Sequence, residues 1–233
     1  MLACSDSVPL TILPLNGAEL VLDPAGALVW PEQQVMVVAD LHLEKGSFFA
    51  RRGQMLPPYD TTETLLRLEA LAARWQPRTL IALGDSLHDR RAAERLDPSA
   101  VLRLKALQSG RTFIWIAGNH DPEPAHDLSG DWAREVVIGP LTFRHEPRAR
   151  HTPGEVAGHL HPAARLAVRG RSLRRRCFAT DGTRMVLPAL GAFTGGLNVR
   201  HGACAGLFAG RFEAHVLGAD RTYRFTSDAC LAD

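Results

Sequence analysis

Three short runs, Val35–Ala39, Thr79–Leu83 and Thr112–Ala117, are almost uninterruptedly apolar, and each is followed within two residues by Asp or Asn. A run of five or six such residues is the mark of a strand buried on both faces, as in the middle of a parallel sheet. Between the first two runs, Leu65, Leu66, Leu68, Leu71 and Trp75 mark the buried stripe of a helix. Asp60-Thr61-Thr62-Glu63 has the spacing of a capping box at its start, and Pro77 closes it. Pro98 suits the first turn of a further helix, reaching about Ser109. Alternation of strand and helix implies a sheet with parallel character across the first half. Ahead of it, Ala18–Leu22 and Ala27–Trp30 flank Asp23-Pro24-Ala25-Gly26 and read as a hairpin.

From Glu135 onward helical periodicity fades. Val136–Ile138, Leu141–His145, Glu155–Ala157, Arg184–Leu187, Phe212–Leu217 and Arg221–Phe225 are short runs punctuated by Gly and Pro, and they read as strands. The chain has 233 residues, ample for a buried core, with no linker or repeat, so residues 1–233 are expected to form one α/β domain.

Composition excludes some partners. No apolar run is long enough to cross a bilayer, and Met1–Leu15 lacks the basic start of a secretion signal, so the expected location is the cytoplasm, away from membranes. Cys4, Cys177, Cys204 and Cys230 are scattered without a CxxC pair, which suits free thiols. The net charge of +2 implies no partner by itself. Its carriers say more: Lys45 and Lys105 are the only lysines, so positive charge is nearly all guanidinium, which grips phosphate with paired hydrogen bonds. The densest cluster is Arg169, Arg171, Arg174, Arg175 and Arg176, of which Arg174, Arg175 and Arg176 are candidates for holding a phosphate backbone; a solvated strand face or loop is the competing reading. Aromatic residues make up only 6% of the chain, little for base-stacking platforms.

The polar residues gather where the apolar runs end. Asp40-Leu41-His42 follows the first, Asp85 the second and Asn119-His120-Asp121 the third, while His145 ends a later run and His159-Leu160-His161 follows Glu155–Ala157. In open α/β sheets ligands bind beyond the carboxyl ends of the strands. Carboxylate, amide oxygen and imidazole together suit Mn, Fe or Zn, and the set is large enough for two ions sharing a carboxylate. In Asp-x-His and His-x-His the alternate residues point the same way if the segment is extended. His126, His151, His201 and His215 belong to no such block, and surface or core roles are expected for them.

Asp40-Leu41-His42, Gly84-Asp85, Gly118-Asn119-His120-Asp121, His145 and Gly158-His159-Leu160-His161 resemble, in order, the signature of the calcineurin-like metallophosphoesterases. Ala39–Gly46, Gly84–Asp89, His145-Glu146-Pro147 and Leu187–Gly196 are more narrowly similar to the bacterial ligase-associated DNA damage response endonucleases. The resemblance implies a four-layer αββα sandwich of two sheets flanked by helices. It implies two divalent ions, Mn first with Fe or Zn as alternatives. One would be held by Asp40, His42, Asp85 and His161, and the other by Asp85, Asn119, His145 and His159. His120 would sit beside the scissile phosphate, with Asp121 orienting it, while a metal-bridging hydroxide attacks phosphorus. A DNA ligase and associated repair proteins would be the partners.

Two positions depart from the family pattern. Glu146 stands where many members have Gly, which would narrow the cleft, and His88 stands where an Asp is common, within reach of a phosphate or leaving group. The expected activity is phosphodiester hydrolysis, as a nuclease of DNA repair. A phosphomonoesterase or nucleotide hydrolase would use the same metals, and a non-catalytic scaffold of a repair complex would need neither His120 nor turnover.

Overall fold

Two β-sheets lie face to face across an apolar layer. The structure is a computed structural model describing residues 10–124 and 128–233; Cys4, His126 and most of Met1–Leu15 lie outside the described residues. The first sheet runs in chain order: β1 (Thr11–Leu15), β2 (Ala18–Leu22), β3 (Leu28–Trp30), β4 (Val35–Val38), β5 (Thr79–Ala82), β6 (Thr112–Ile116) and β7 (Asp131–Ala133). The pairs from β1 to β4 are antiparallel and those from β4 to β7 parallel. Along β4, Val35 and Val37 face the second sheet while Met36 and Val38 face the helices, the period-two alternation of a strand buried on both sides.

The helices α1 (Lys45–Ala50), α2 (Asp60–Trp75) and α3 (Pro98–Gln108) accompany the first sheet, and α2 and α3 cover its outer face. Leu65, Leu68 and Leu71 of α2 are at most 3% exposed and press on Met36, Val38 and Leu80; each such side chain contributes about 1.5–3 kcal/mol by leaving water. Leu66 lies off this stripe and is 45% exposed, because a residue next to Leu65 is turned about 100° around the axis. The expected capping box is absent. Tyr59 is the N-cap, without a side-chain bond, and Asp60 accepts the Gly46 N–H at 2.9 Å, so its carboxylate ties α2 to α1. In α3 the cap is regular, with Asp97 accepting the Ala100 N–H ahead of Pro98.

The second sheet contains β8 (Glu135–Ile138), β9 (Leu141–Arg144), β10 (Glu155–Ala157), β11 (Pro162–Val168), β12 (Arg171–Thr180), β13 (Met185–Val186), β14 (Leu197–Asn198), β15 (Glu213–Leu217) and β16 (Thr222–Thr226). Its order, β14-β11-β12-β13-β10-β9-β8, with β15 beside β12 and β16 beside β15, departs from chain order. Phe143, Val156, Phe178 and Met185 meet Val35, Val37, Ile81 and Ile116 between the sheets. On the far side, Cys177, Ala179, Ala214 and Val216 pack against Val199, Cys204, Leu207 and Phe208, around the single turn α4 (Gly202–Ala205). The layers run helices, sheet, sheet, helix as the αββα expectation has it, with the fourth layer thin.

The hairpin around Asp23–Gly26 forms as read, with Leu22 opposite Leu28. A second hairpin, not read from the sequence, precedes it: Asn16 and Gly17 have φ of 46° and 91°, the left-handed pair of a two-residue turn, and Leu15 lies opposite Ala18. Cys177, Cys204 and Cys230 are free and buried, and burial pushes the Cys204 thiol up to about 12, away from reactivity. Among the described residues no helix is long and apolar enough to cross a membrane.

Candidate metal centre

The polar blocks meet where β4, β5, β6, β9 and β10 end. The loops after β4 and β5 run side by side: the His42 N–H donates to the Asp85 carbonyl at 2.9 Å, and the Leu43 N–H to Ser86 at 2.9 Å. The next loop joins through Asp121, which accepts the N–H groups of Ser86, Leu87 and Gly118. The second sheet enters through His159, whose N–H is shared by both oxygens of Asp40 at 3.1 and 3.0 Å. Gly118 has no substitute, since a Cβ there would lie 2.2 Å from the Asp85 backbone nitrogen.

Asp40, His42, Asp85, His159 and His161 all have left-handed backbones, with φ between 45° and 69°. Non-glycine residues in that region cost on the order of 1–3 kcal/mol each and persist where the surroundings enforce them. The expected extended conformation of Asp-x-His and His-x-His is therefore overturned. The two side chains converge by alternate left-handed residues, and the cost is concentrated at the place where ligands gather.

Three groups each bring their ligand atoms within 4.8 Å of one another: Asp40, His42 and His161; Asp85, His145 and His159; and His42, His88 and His120. Asp85 stands between the first two. Its Oδ2 is 3.9 Å from His42 Nε2 and its Oδ1 is 3.4 Å from His145 Nε2. Asn119 joins the second group, with its Oδ1 3.0 Å from His145 Nε2. All seven expected ligands are thus at one site.

Backbone carbonyls set the rings. His145 Nδ1–H donates to the Leu83 carbonyl at 2.8 Å and His161 Nδ1–H to Gly195 at 3.2 Å, which turns the Nε2 lone pair of each inward. His42 and His161 then oppose Nε2 to Nε2 at 3.3 Å, and His159 Nδ1 lies 3.1 Å from His145 Nε2. Such pairs of nitrogens beside two buried carboxylates call for a cation, and the donor set of imidazole, carboxylate and amide oxygen fits a divalent transition metal.

The electrostatics agree. Burial works to raise Asp85, but the hydrogen bond and charge of His145, with the His120 N–H, hold it down to about 2. Burial works to lower His145, yet the bond and charge of Asp85 and the charge of Asp40 carry it up to about 9. The field that draws a proton to His145 also draws a metal ion, which displaces that proton. Burial, followed by the charge of His161, pushes His42 down to about 2, so its ring stays neutral and available.

His120 is half-exposed at the rim, its Nε2 3.9 Å from Asp85 Oδ2. Its Nδ1–H donates to the His88 carbonyl at 2.7 Å, so that carbonyl orients the ring, and the role expected of Asp121 is corrected. Asp121 is committed to the loop amides, and burial pushes its carboxyl up to about 7 against two of those bonds. His88 lies under the site with its Nδ1 3.3 Å from His42 Nδ1 and its ring stacked on His120 at 5.2 Å. Glu146 lines a cleft of about 360 Å³ beside Asn119 and His145.

The expected backbone grip is corrected. Arg176 donates to the Ala189 carbonyl at 2.6 Å, Arg174 binds Asp233 and the Gly196 carbonyl, and Arg175 lies on the opposite face of β12. Gly195, unassigned from the sequence, orients His161 through its carbonyl. His151 is an exposed partner of Thr183, His201 caps α4, and His215 is buried in β15, all outside the site.

A family model for calcineurin-like phosphoesterases matches residues 34–171. Among solved structures, the chain is similar to the nuclease MPE of Pseudomonas putida, at 30% identity over 93% of this chain and 100% of that one, with a TM-score of 0.70. Yfce, a phosphoesterase from E. coli, is 15% identical over 82% of this chain and 97% of its own, with a TM-score of 0.42. No curated protein matches.

Proposed function

The chain belongs to the calcineurin-like phosphoesterase family, and from that premise we propose that it is a two-metal phosphodiesterase that cleaves nucleic acid. The observation that carries the two-metal reading is Asp85, whose two carboxylate oxygens face two different clusters. Asp40, His42, Asp85 and His161 hold one ion, and Asp85, Asn119, His145 and His159 the other. Manganese is the proposed metal. Likeness to the Pseudomonas putida nuclease supports nucleic acid as substrate, and the shallow cleft beside Asn119 suits a polymer. Repair as the setting and a DNA ligase as partner are proposed on the ligase-associated motifs.

A divalent pair bound here supplies Lewis acidity and a water acidified into the neutral range. The protein's own groups do the rest. Asp85 and Asp40 line the floor of the site with buried carboxylates. His120, whose Nδ1–H is held by the His88 carbonyl, presents Nε2 at the rim, where in the doubly protonated ring it donates to a phosphoryl oxygen and then passes its proton to the leaving oxygen.

The test is hydrolysis of a generic phosphodiester and a generic phosphomonoester by metal-stripped protein re-supplied with Mn, beside His120→Ala. Diester cleavage that needs the metal and falls roughly 100-fold or more in His120→Ala is the expected result. Cleavage of the monoester alone would replace the diesterase reading by a small-molecule phosphatase.

A further inference from the structure

Two rings of α1 stand beside the site. Phe48 approaches the His88 ring edge-on at 4.7 Å, and Phe49 lies against it at 5.7 Å, tilted by 33°. His88 in turn stacks on His120. Phe49, His88 and His120 therefore form a short ladder of π-faces leading from α1 to the rim of the metal centre. Phe48 and Phe49 are only partly buried.

Exposed cations follow two of the segments that carry this ladder. Arg51 and Arg52 follow α1 directly and are exposed, and Arg52 lies over the Phe48 ring at 3.9 Å. Arg90, two residues beyond His88, is exposed as well. Among the described residues none of these three guanidiniums is paired with a carboxylate, whereas Arg91 and Arg95 of the same neighbourhood are paired with Glu94 and Asp89. Unpaired guanidiniums next to a partly open aromatic ring match a polynucleotide strand, which offers phosphates at the spacing of its bases and a flat face on every base. A base inside a duplex cannot reach such a ring without leaving its stack.

We propose that α1 and the turn after it form a ledge for single-stranded nucleic acid, with a base stacked on Phe49 and the flanking phosphates held by Arg51 and Arg52. This rests on the phosphodiesterase reading above and names the form of the substrate. The strand runs along the ladder, and its next phosphate reaches His120 and the metal ligands.

The test is binding of a labelled oligothymidylate across a range of salt concentrations, together with hydrolysis of a generic small diester. Phe49→Ala is expected to weaken binding roughly tenfold. Arg51→Ala with Arg52→Ala is expected to flatten the slope of log affinity against log salt by about 1.4, for two phosphate contacts on a single strand. Phe49→Leu, which keeps the packing on His88, is expected to lose affinity like Phe49→Ala. Arg175→Ala, a guanidinium on the far face, is expected to bind as the parent does. Retained binding in either ledge variant, or an equal loss in Arg175→Ala, overturns the ledge. Failure of the parent to hydrolyse the small diester counts against the phosphodiesterase reading alone, because binding is read without turnover.

Discussion

Along β12 and just beyond it, the guanidiniums of Arg174, Arg176 and Arg184 end on backbone carbonyls and carboxylates, while Arg51 and Arg52 after α1 are exposed, Arg52 lying over the Phe48 ring. Both regions are arginine-rich in the chain, and the first is the denser of the two there. In β12 the strand alternates its side chains between two faces, so neighbouring arginines cannot act as one grip. At α1 the charges gather beside the rings that lead to His120. What separates the regions is the supply of acceptors. Loops ending in free carbonyls cross the inner face of β12, and none is committed to the residues after α1.

Arg184 gives the sharpest contrast, since it is wholly buried and paired with Glu155, itself 0% exposed. Arg184→Met leaves Glu155 Oε2 without its partner, with only Arg144 and the Arg148 N–H remaining on Oε1, and is expected to destabilise the protein by about 3 kcal/mol, read as a lower denaturation midpoint at unchanged slope. Adding Glu155→Leu should restore most of the loss. If the single variant proves neutral, the inner arginines are as dispensable as surface ones and the comparison breaks.

Arg176 is expected to matter less and in a second way. Burial and the charge of nearby Arg67 hold its pKa below the usual arginine range, yet it supports the Ala189 carbonyl. Arg176→Met should cost about 1–2 kcal/mol. It should also lower turnover on a small diester, because the same connection carries the Gly195 carbonyl that orients His161. Thermal unfolding and kcat, measured together, separate the two effects.

Replacing Arg51 and Arg52 by Ala is expected to leave stability within about 0.5 kcal/mol while flattening the salt dependence of oligonucleotide binding. A stability loss as large as that of Arg176→Met would show that these side chains pack and do not merely wait for a strand. Arg175→Ala should be the quietest change, neutral in unfolding and in binding.

Much of the metal centre was readable in advance. Asp40, His42, Asp85, Asn119, His145, His159 and His161 each follow an apolar run, and buried strands of α/β sheets deliver their following residues to one edge. The central strands were readable for the same reason, because five consecutive apolar residues have few other uses. Less local features were not. Asp60 has the spacing of a helix cap, but Gly46 competes for its carboxylate and is fourteen positions away. His120 looks like a partner for Asp121, but three amides, two from the loop after β5 and one from its own loop, claim Asp121 first. The left-handed backbones of Asp40 and His161 contradict local preference and are held by the sheets on either side.

By itself, then, the sequence determined which residues gather at the candidate metal centre, because their order after apolar runs is a one-dimensional pattern with one physical outcome. The tertiary structure alone decided how those residues face one another, which carbonyls turn His145, His161 and His120, and which arginines remain free to meet a phosphate. These depend on contacts between segments up to more than a hundred residues apart, and no local preference carries that information.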